Sequence, residues 1–212
     1  MDDPDDWRNA VGCWFLNGHL CFRFKRGFLK YKPQVTDDDM KAMMKYLVTY
    51  WSQTGNTKKV AEAIFEAIAG DKSIRPFDEV QTLDGFDMTF IGFPVMQFGP
   101  PPEARKFIAD LAEGNKIALF ITHAMLSRSE NPQQKIMLER ELGKCRSICS
   151  KSEVTGLYHC QGELSERMAG ELIASNIPML MEFAAMRPLT LGHPDPHDLE
   201  MAKQFARDVT AI

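Results

Sequence analysis

The chain has 212 residues, of which 44% are hydrophobic and 25% are charged. This composition is typical of one globular domain with a sizeable core, and it excludes a collagen-like repeat, a largely disordered chain and a small disulfide scaffold. The formal net charge of -4 disfavours a dedicated nucleic-acid-binding protein, which usually carries a basic excess. Because no apolar stretch approaches the ~20 residues that span a bilayer, we expect no membrane span.

The cysteines do not form the pattern of a metal site. Five cysteines are present, and the closest pair, Cys145 and Cys149, is separated by three residues. A structural zinc site needs a second closely spaced pair, which the sequence does not supply. We therefore expect reduced thiols and a cytoplasmic protein.

Residues 1–43 differ in composition from the rest of the chain. They contain seven aromatic residues, two acidic clusters and a basic and aromatic stretch at 22–32. No helical or alternating periodicity is evident, and the acidic start fits neither a secretory signal nor a mitochondrial presequence. The stretch 22–32 could contact a membrane or a partner surface. We favour a later start, within 40–44, which makes 1–43 an irregular extension or the product of an early start and 44–212 the domain.

From residue 45 onwards, short apolar runs alternate with helical patterns. Strands are predicted near 46–50, 73–77, 87–93, 116–122 and 154–160. Helical spacing follows over 60–68 and 104–111, and helices are predicted over 132–144, 163–176 and 198–210. This alternation predicts a doubly wound parallel sheet with helices on both faces, whose strand C-termini form the ligand-binding edge.

The segment Ser52–Thr57 carries the strongest chemical signal, because it joins the first strand to the first helix. Several backbone N–H groups and the positive end of the helix can meet an anion there. The hydroxyls of Ser52, Thr54 and Thr57 can donate to it, and Gly55 permits a close turn. An ordinary helix cap explains one hydroxyl but not three. Since Gly55 stands alone, neither a Walker A loop nor a dinucleotide loop fits, and we predict a phosphate site.

The chain resembles the flavodoxin family. YWSQTGNTKKVAEAI at 50–64 is similar to the family's phosphate-binding loop and helix, and IGFPVMQFGPP at 91–101 is similar to its second cofactor loop. The resemblance covers about 44–212 and implies an α/β fold with five parallel strands in the order 2-1-3-4-5 that binds FMN. The family's phosphate positions map onto Ser52, Gln53, Thr54, Gly55, Asn56 and Thr57. The second loop maps onto Pro94, Val95, Met96, Gln97, Phe98 and Gly99, which the resemblance places beside the flavin.

The loop after the fourth strand departs from the family pattern. Many flavodoxins cover the flavin with a Tyr from this loop, but here it reads THAMLSRSE at 122–130. His123, Ala124 and Met125 occupy that region and are expected near the ring. Acidic residues are also sparse in both cofactor loops. The segments 160–168 and 191–206 resemble a less-studied flavodoxin-like subgroup.

Other residues have ordinary structural interpretations. His193 and His197 flank Asp195 in a Pro-containing turn, where we favour helix capping over a metal site. Cys160 ends the last strand, and we favour a small buried side chain over a redox-active thiol. The Met-rich segment 179–186 is interpreted as core filler.

Three functions remain open. The favoured one is an FMN-binding electron carrier that passes electrons between redox partner proteins. The first alternative is an NAD(P)H-dependent FMN reductase acting on a quinone or another small acceptor, and the second is a non-redox module that binds a phosphorylated ligand or a protein. We expect no metal, no catalytic side chain and no nucleic-acid partner, and a monomer or weak dimer.

Overall fold

The computed structural model describes residues 13–16, 19–24, 27–31, 43–127 and 131–211. Contacts between Cα atoms divide the chain into two units, Met1–Met40 and Lys41–Ile212.

The described residues of the first unit form a small antiparallel sheet. Its strands are β1 (Cys13–Leu16), β2 (His19–Phe24) and β3 (Gly27–Tyr31), in the order β1-β2-β3. The sequence of these strands shows no clear period, because strands this short offer too few alternations to reveal one. The other residues of 1–42 lie outside the described part of the chain, so the domain boundary at 44 and the late start stay predictions.

The second unit is built on a parallel sheet. Its strands are β4 (Lys45–Tyr50), β5 (Asp71–Pro76), β6 (Met88–Pro94), β7 (Lys116–His123) and β8 (Glu153–Gln161). They pair in the order β5-β4-β6-β7-β8, and every pair is parallel. Numbered within this unit, the order is 2-1-3-4-5, and the predicted fold class is confirmed.

The helices cover both faces of this sheet. They are α1 (Asn56–Ala67), α2 (Pro102–Leu111), α3 (Pro132–Ser147), α4 (Glu166–Ala174), α5 (Pro178–Ala185) and α6 (Pro196–Thr210). Side chains of α1 and α6 pack with Val48 and Phe90 on one face, whereas side chains of α2 and α3 pack with Leu47 and Ile91 on the other. Successive strand residues point to opposite faces, so burial of both faces explains the continuous apolar runs.

The interpretation of the Met-rich segment 179–186 as core filler is wrong, because part of the segment is exposed. It forms α5, in which Met179 is 53% and Met181 39% exposed. The segment is only eight residues long and has few polar positions, so no amphipathic period marks it as a surface helix.

None of the helices in the described part of the chain combines the length and the apolar character needed to cross a bilayer.

Candidate functional site

An open cleft lies at the C-terminal edge of the parallel sheet. The loops that follow β4, β6, β7 and β8 form its walls, as expected for a doubly wound sheet. Its lining residues are Ser52, Gln53, Thr54, Asn56, Thr57, Pro94, Val95, Met96, Thr122, His123, Ala124, Gly162, Glu163, Leu164, Ser165 and Met168.

The loop after β4 turns sharply into α1. Gly55 is the N-cap of α1 and has a φ of 92°, which lies in the left-handed region that favours glycine. The Ser52 hydroxyl accepts the Gly55 N–H at 3.1 Å, and the Gly55 carbonyl accepts the Lys59 N–H at 3.0 Å. The N–H groups of the first helical residues have no acceptor within the helix, so they and the helix dipole offer a place for an anion.

The three hydroxyls of this loop have different surroundings. Thr54 is exposed, and Ser52 uses its oxygen to accept a backbone hydrogen bond. Thr57 is buried, and its Oγ1 lies 2.8 Å from the Oγ1 of Thr122 on β7. Whichever of these two threonines donates, the other keeps a hydroxyl proton that can serve a ligand. Thr122 was not predicted as a site residue, because its role depends on this contact between separate elements.

The first part of the loop after β6 lines the cleft, and the second part forms a tight turn. Pro94, Val95 and Met96 line the cleft, whereas Gln97, Phe98 and Gly99 do not. Met96 and Gly99 exchange two backbone hydrogen bonds of 2.8 and 3.0 Å. The residues between them, Gln97 and Phe98, have φ values of 47° and 61°. This geometry turns Phe98 away from the cleft towards a separate cavity.

His123, the last residue of β7, lies beside His159 on the neighbouring strand β8. His123 is 3% exposed, and its Nδ1 lies 3.1 Å from the Met125 carbonyl oxygen. Because a carbonyl only accepts, this nitrogen carries the proton, and Nε2 accepts from the His159 Nδ1 at 3.1 Å. Burial lowers the pKa of His123 to about 3, and the His159 ring contributes to this shift. His123 and Ala124 line the cleft, whereas Met125 lines the separate cavity.

The loop after β8 forms the fourth wall, and none of its residues was predicted as a site residue. The Asn56 Nδ2 donates to the Glu163 carbonyl at 2.9 Å, which connects this loop to the start of α1. A Cβ at Gly162 would lie 2.9 Å from the same Nδ2, so Gly162 leaves the space that Asn56 occupies. One feature of the sequence could have indicated this wall: Gly162 directly follows the last strand, at the sheet edge where ligands bind.

Comparison with known proteins agrees with this architecture. Residues 47–207 match the family model described as the flavodoxin domain. This chain belongs to the flavodoxin family. It is 27% identical over 176 residues to the flavodoxin-like domain-containing protein BilS of Clostridioides difficile (strain CD3), covering 78% of this chain and 96% of that protein.

The flavodoxin domain also has similar solved structures. A WrbA-like flavodoxin protein from Agrobacterium tumefaciens is 18% identical with a TM-score of 0.48, over 79% of this chain and 96% of that one. A flavodoxin from the domain Archaea is 19% identical with a TM-score of 0.46, over 79% of this chain and 97% of that one.

The C-terminal turn of the flavodoxin domain is a helix cap. Asp195 is the N-cap of α6 and forms a capping box with Asp198, so the predicted capping role is confirmed. The His193 Nδ1 lies 2.6 Å from the Asp198 Oδ2, which places three candidate metal ligands together. Their polar atoms are used in this cap. His197 is exposed.

Cys160 of the flavodoxin domain is buried at 2% exposure. Burial raises the pKa of its thiol to about 12, and the nearby Asp198 adds to the shift. A protonated, buried thiol is a poor nucleophile, which agrees with the interpretation as a small buried side chain.

Proposed function

We propose that this flavodoxin domain binds FMN, with Ser52, Gln53, Thr54, Gly55, Asn56 and Thr57 holding the phosphate. The observation that carries the proposal is the αL turn at Gly55, from which α1 begins with its N–H groups at the cleft. None of the described lining residues is Lys or Arg, so backbone and hydroxyl donors would serve the phosphate.

The charges around the cleft are compatible with an anionic group. Glu163 is the acidic residue among the described lining residues, and its carboxylate is already engaged. Its Oε1 lies 3.7 Å from the Arg187 Nη2, and its Oε2 accepts the Gly192 N–H at 3.3 Å. These contacts hold the Glu163 carboxylate against the segment that precedes α6. His123 adds no positive charge at neutral pH, because burial keeps its pKa low.

The remaining walls offer mostly apolar contacts that suit a flavin ring. Val95 and Met96 come from the loop after β6, Ala124 from the loop after β7, and Leu164 and Met168 from the region after β8. We propose that they hold the ring and limit its contact with water. When bound, FMN supplies one- and two-electron chemistry, while the residues of this chain bind and orient it.

We further propose that this protein is an electron carrier that exchanges electrons with redox partner proteins, as a monomer or weak dimer in the cytoplasm. The cleft is open to solvent at the sheet edge, which suits electron exchange with a docked protein. The cytoplasmic location is supported by Cys145, Cys149 and Cys160, which are free thiols in the described part of the chain.

Anaerobic reduction separates the carrier from the alternatives. The full chain loaded with FMN is expected to be reduced by dithionite, whereas NADH or NADPH should bleach its flavin absorbance no faster than that of free FMN. Rapid bleaching by either nucleotide would contradict the carrier role and support the NAD(P)H-dependent reductase acting on a small acceptor. Failure to retain FMN at all would favour the non-redox module.

A further inference from the structure

A second cavity lies next to the cleft at the sheet edge. Ala124 lines the cleft and the next residue, Met125, lines the cavity; in the loop after β6, Met96 lines the cleft and Phe98 lines the cavity. Consecutive Cα atoms are about 3.8 Å apart, so the two spaces are neighbours. The rest of the cavity wall comes from Leu126, from α3 and α5, and from Met186, which follows α5.

The lining of this cavity is mostly apolar and rich in methionine. Met125, Met137, Met179 and Met186 contribute flexible thioether side chains, and Phe98 and Phe183 contribute aromatic rings. Unbranched methionine side chains adapt to ligands of different shapes. Small-molecule sites in proteins combine apolar walls with a few polar groups, and this cavity has the same composition.

One polar atom at the cavity has an unmet hydrogen-bonding capacity. The Gln134 Oε1 is buried and has no hydrogen-bond partner among the described residues, while its Nε2 lies 3.6 Å from the Met186 sulfur. A buried acceptor without a donor is unfavourable. A ligand that brings an N–H or O–H group would satisfy Gln134. Glu182 also lines the cavity and is exposed, which disfavours an anionic ligand.

Phe98 is held at the cavity by interactions that a free loop tip would not have. Its backbone has a φ of 61°, in the region that aromatic residues rarely adopt. The Lys144 Nζ donates to the Phe98 carbonyl at 2.8 Å and to the fully buried Glu141 carboxylate at 2.8 and 3.1 Å. The turn is therefore tied to α3, which also supplies Gln134 and Met137 to the cavity.

We propose that this cavity is a second ligand site, which binds a neutral, largely apolar small molecule that carries a hydrogen-bond donor. The site is distinct from the phosphate loop and does not require bound FMN. Met179 forms part of its wall and is 53% exposed, so it can be changed with little effect on the core.

The test uses N-phenyl-1-naphthylamine, a neutral aromatic probe with one N–H group whose fluorescence rises in apolar surroundings. The full chain is titrated with the probe, with and without FMN. We expect saturable binding at one site, and Met179→Glu should weaken it at least about tenfold, because a carboxylate would face the apolar probe. Met201→Glu is the matched control: Met201 is 46% exposed on α6 and does not line the cavity, so the affinity should stay that of the parent.

The contribution of Gln134 is tested with a second probe, N-methyl-N-phenyl-1-naphthylamine, which lacks the donor. The parent chain should prefer the probe with the N–H group, and Gln134→Leu should remove that preference. Equal affinity of the parent for both probes would overturn the assignment of a donor-bearing ligand.

Two further outcomes would overturn the site as a whole. One is equal binding of the probe to the Met179→Glu and Met201→Glu variants. The other is the absence of saturable binding together with a dimer that Met179→Glu dissociates in analytical ultracentrifugation, which would assign this face to contact between copies of the chain. FMN binding is followed separately by flavin absorbance, so neither outcome decides the proposed cofactor.

Discussion

Replacing Gly55 by Val is expected to weaken FMN binding by at least about a hundredfold while the domain stays folded. A φ of 92° is accessible to glycine but strained for a β-branched residue, at a cost of about 1–3 kcal/mol. The variant can relieve this strain by rotating the backbone at the N-cap of α1, which would turn the N–H groups away from the phosphate. Since each ~1.4 kcal/mol corresponds to tenfold in affinity, strain and lost hydrogen bonds together account for the expected loss.

The matched control for this variant is Gly85→Val. Gly85 has a φ of 86° and lies in the turn before β6, away from the N-cap of α1, and in the described structure a Cβ at either glycine would have no atom within 4 Å. Both variants therefore carry similar backbone strain without a clash, but only Gly55 belongs to the proposed phosphate site. FMN titration should show parent-like affinity for Gly85→Val. Equal losses in the two variants, or none in either, would contradict the assigned role of the Gly55 turn.

Gly92→Ala is expected to destabilise the domain by about 3 kcal/mol, the upper end of the usual cost of overpacking a core. Gly92 lies on β6 opposite Phe120 on β7, and both are buried. A Cβ at Gly92 would lie 1.9 Å from the Phe120 Cε2, which is far inside van der Waals contact. Because the Phe120 ring is fully buried in the core, it cannot move away without displacing its neighbours. Urea unfolding followed by circular dichroism measures this loss.

Two further variants show whether the ring of Phe120 is the cause. Gly143→Ala, within α3, adds a Cβ that would meet no described atom within 4 Å, and it should stabilise the domain by about 0.5–1 kcal/mol. Gly92→Ala combined with Phe120→Leu should lose less free energy of unfolding than the sum of the two single changes. Strict additivity, or a Gly92→Ala variant as stable as the parent, would show that the contact with Phe120 is not limiting.

The central sheet could be predicted from the sequence because its signals are local. A strand buried on both faces is a nearly continuous apolar run, as over 116–122, and each of the five predicted strands overlaps an observed one. The signal for the phosphate loop was also local, since its three hydroxyl residues and its glycine lie within six positions between a strand and a helix. By contrast, α5 gave no helical signal, because it is short and has few polar residues.

The rest of the candidate site depends on contacts between distant residues. Asn56 and Glu163 are 107 positions apart, and their hydrogen bond brings the loop after β8 to the phosphate loop. The Thr57–Thr122 pair joins α1 to β7 in the same way. Phe98, whose place beside the flavin stays a prediction, lies in a turn with two positive φ values and lines the second cavity. No periodicity or motif in the sequence predicts these contacts or the conformation of this turn.

Isothermal titration of the full chain with FMN and with riboflavin tests the central claim most directly. The two ligands share the isoalloxazine ring and differ by the terminal phosphate, so their difference in affinity isolates the contribution of Ser52–Thr57. Hydrogen bonds to a charged group contribute about 1.5–3 kcal/mol each. We therefore expect FMN to bind at least about a hundredfold more tightly than riboflavin, a difference of ~2.8 kcal/mol. Equal affinities for the two ligands would contradict a cleft built around a phosphate.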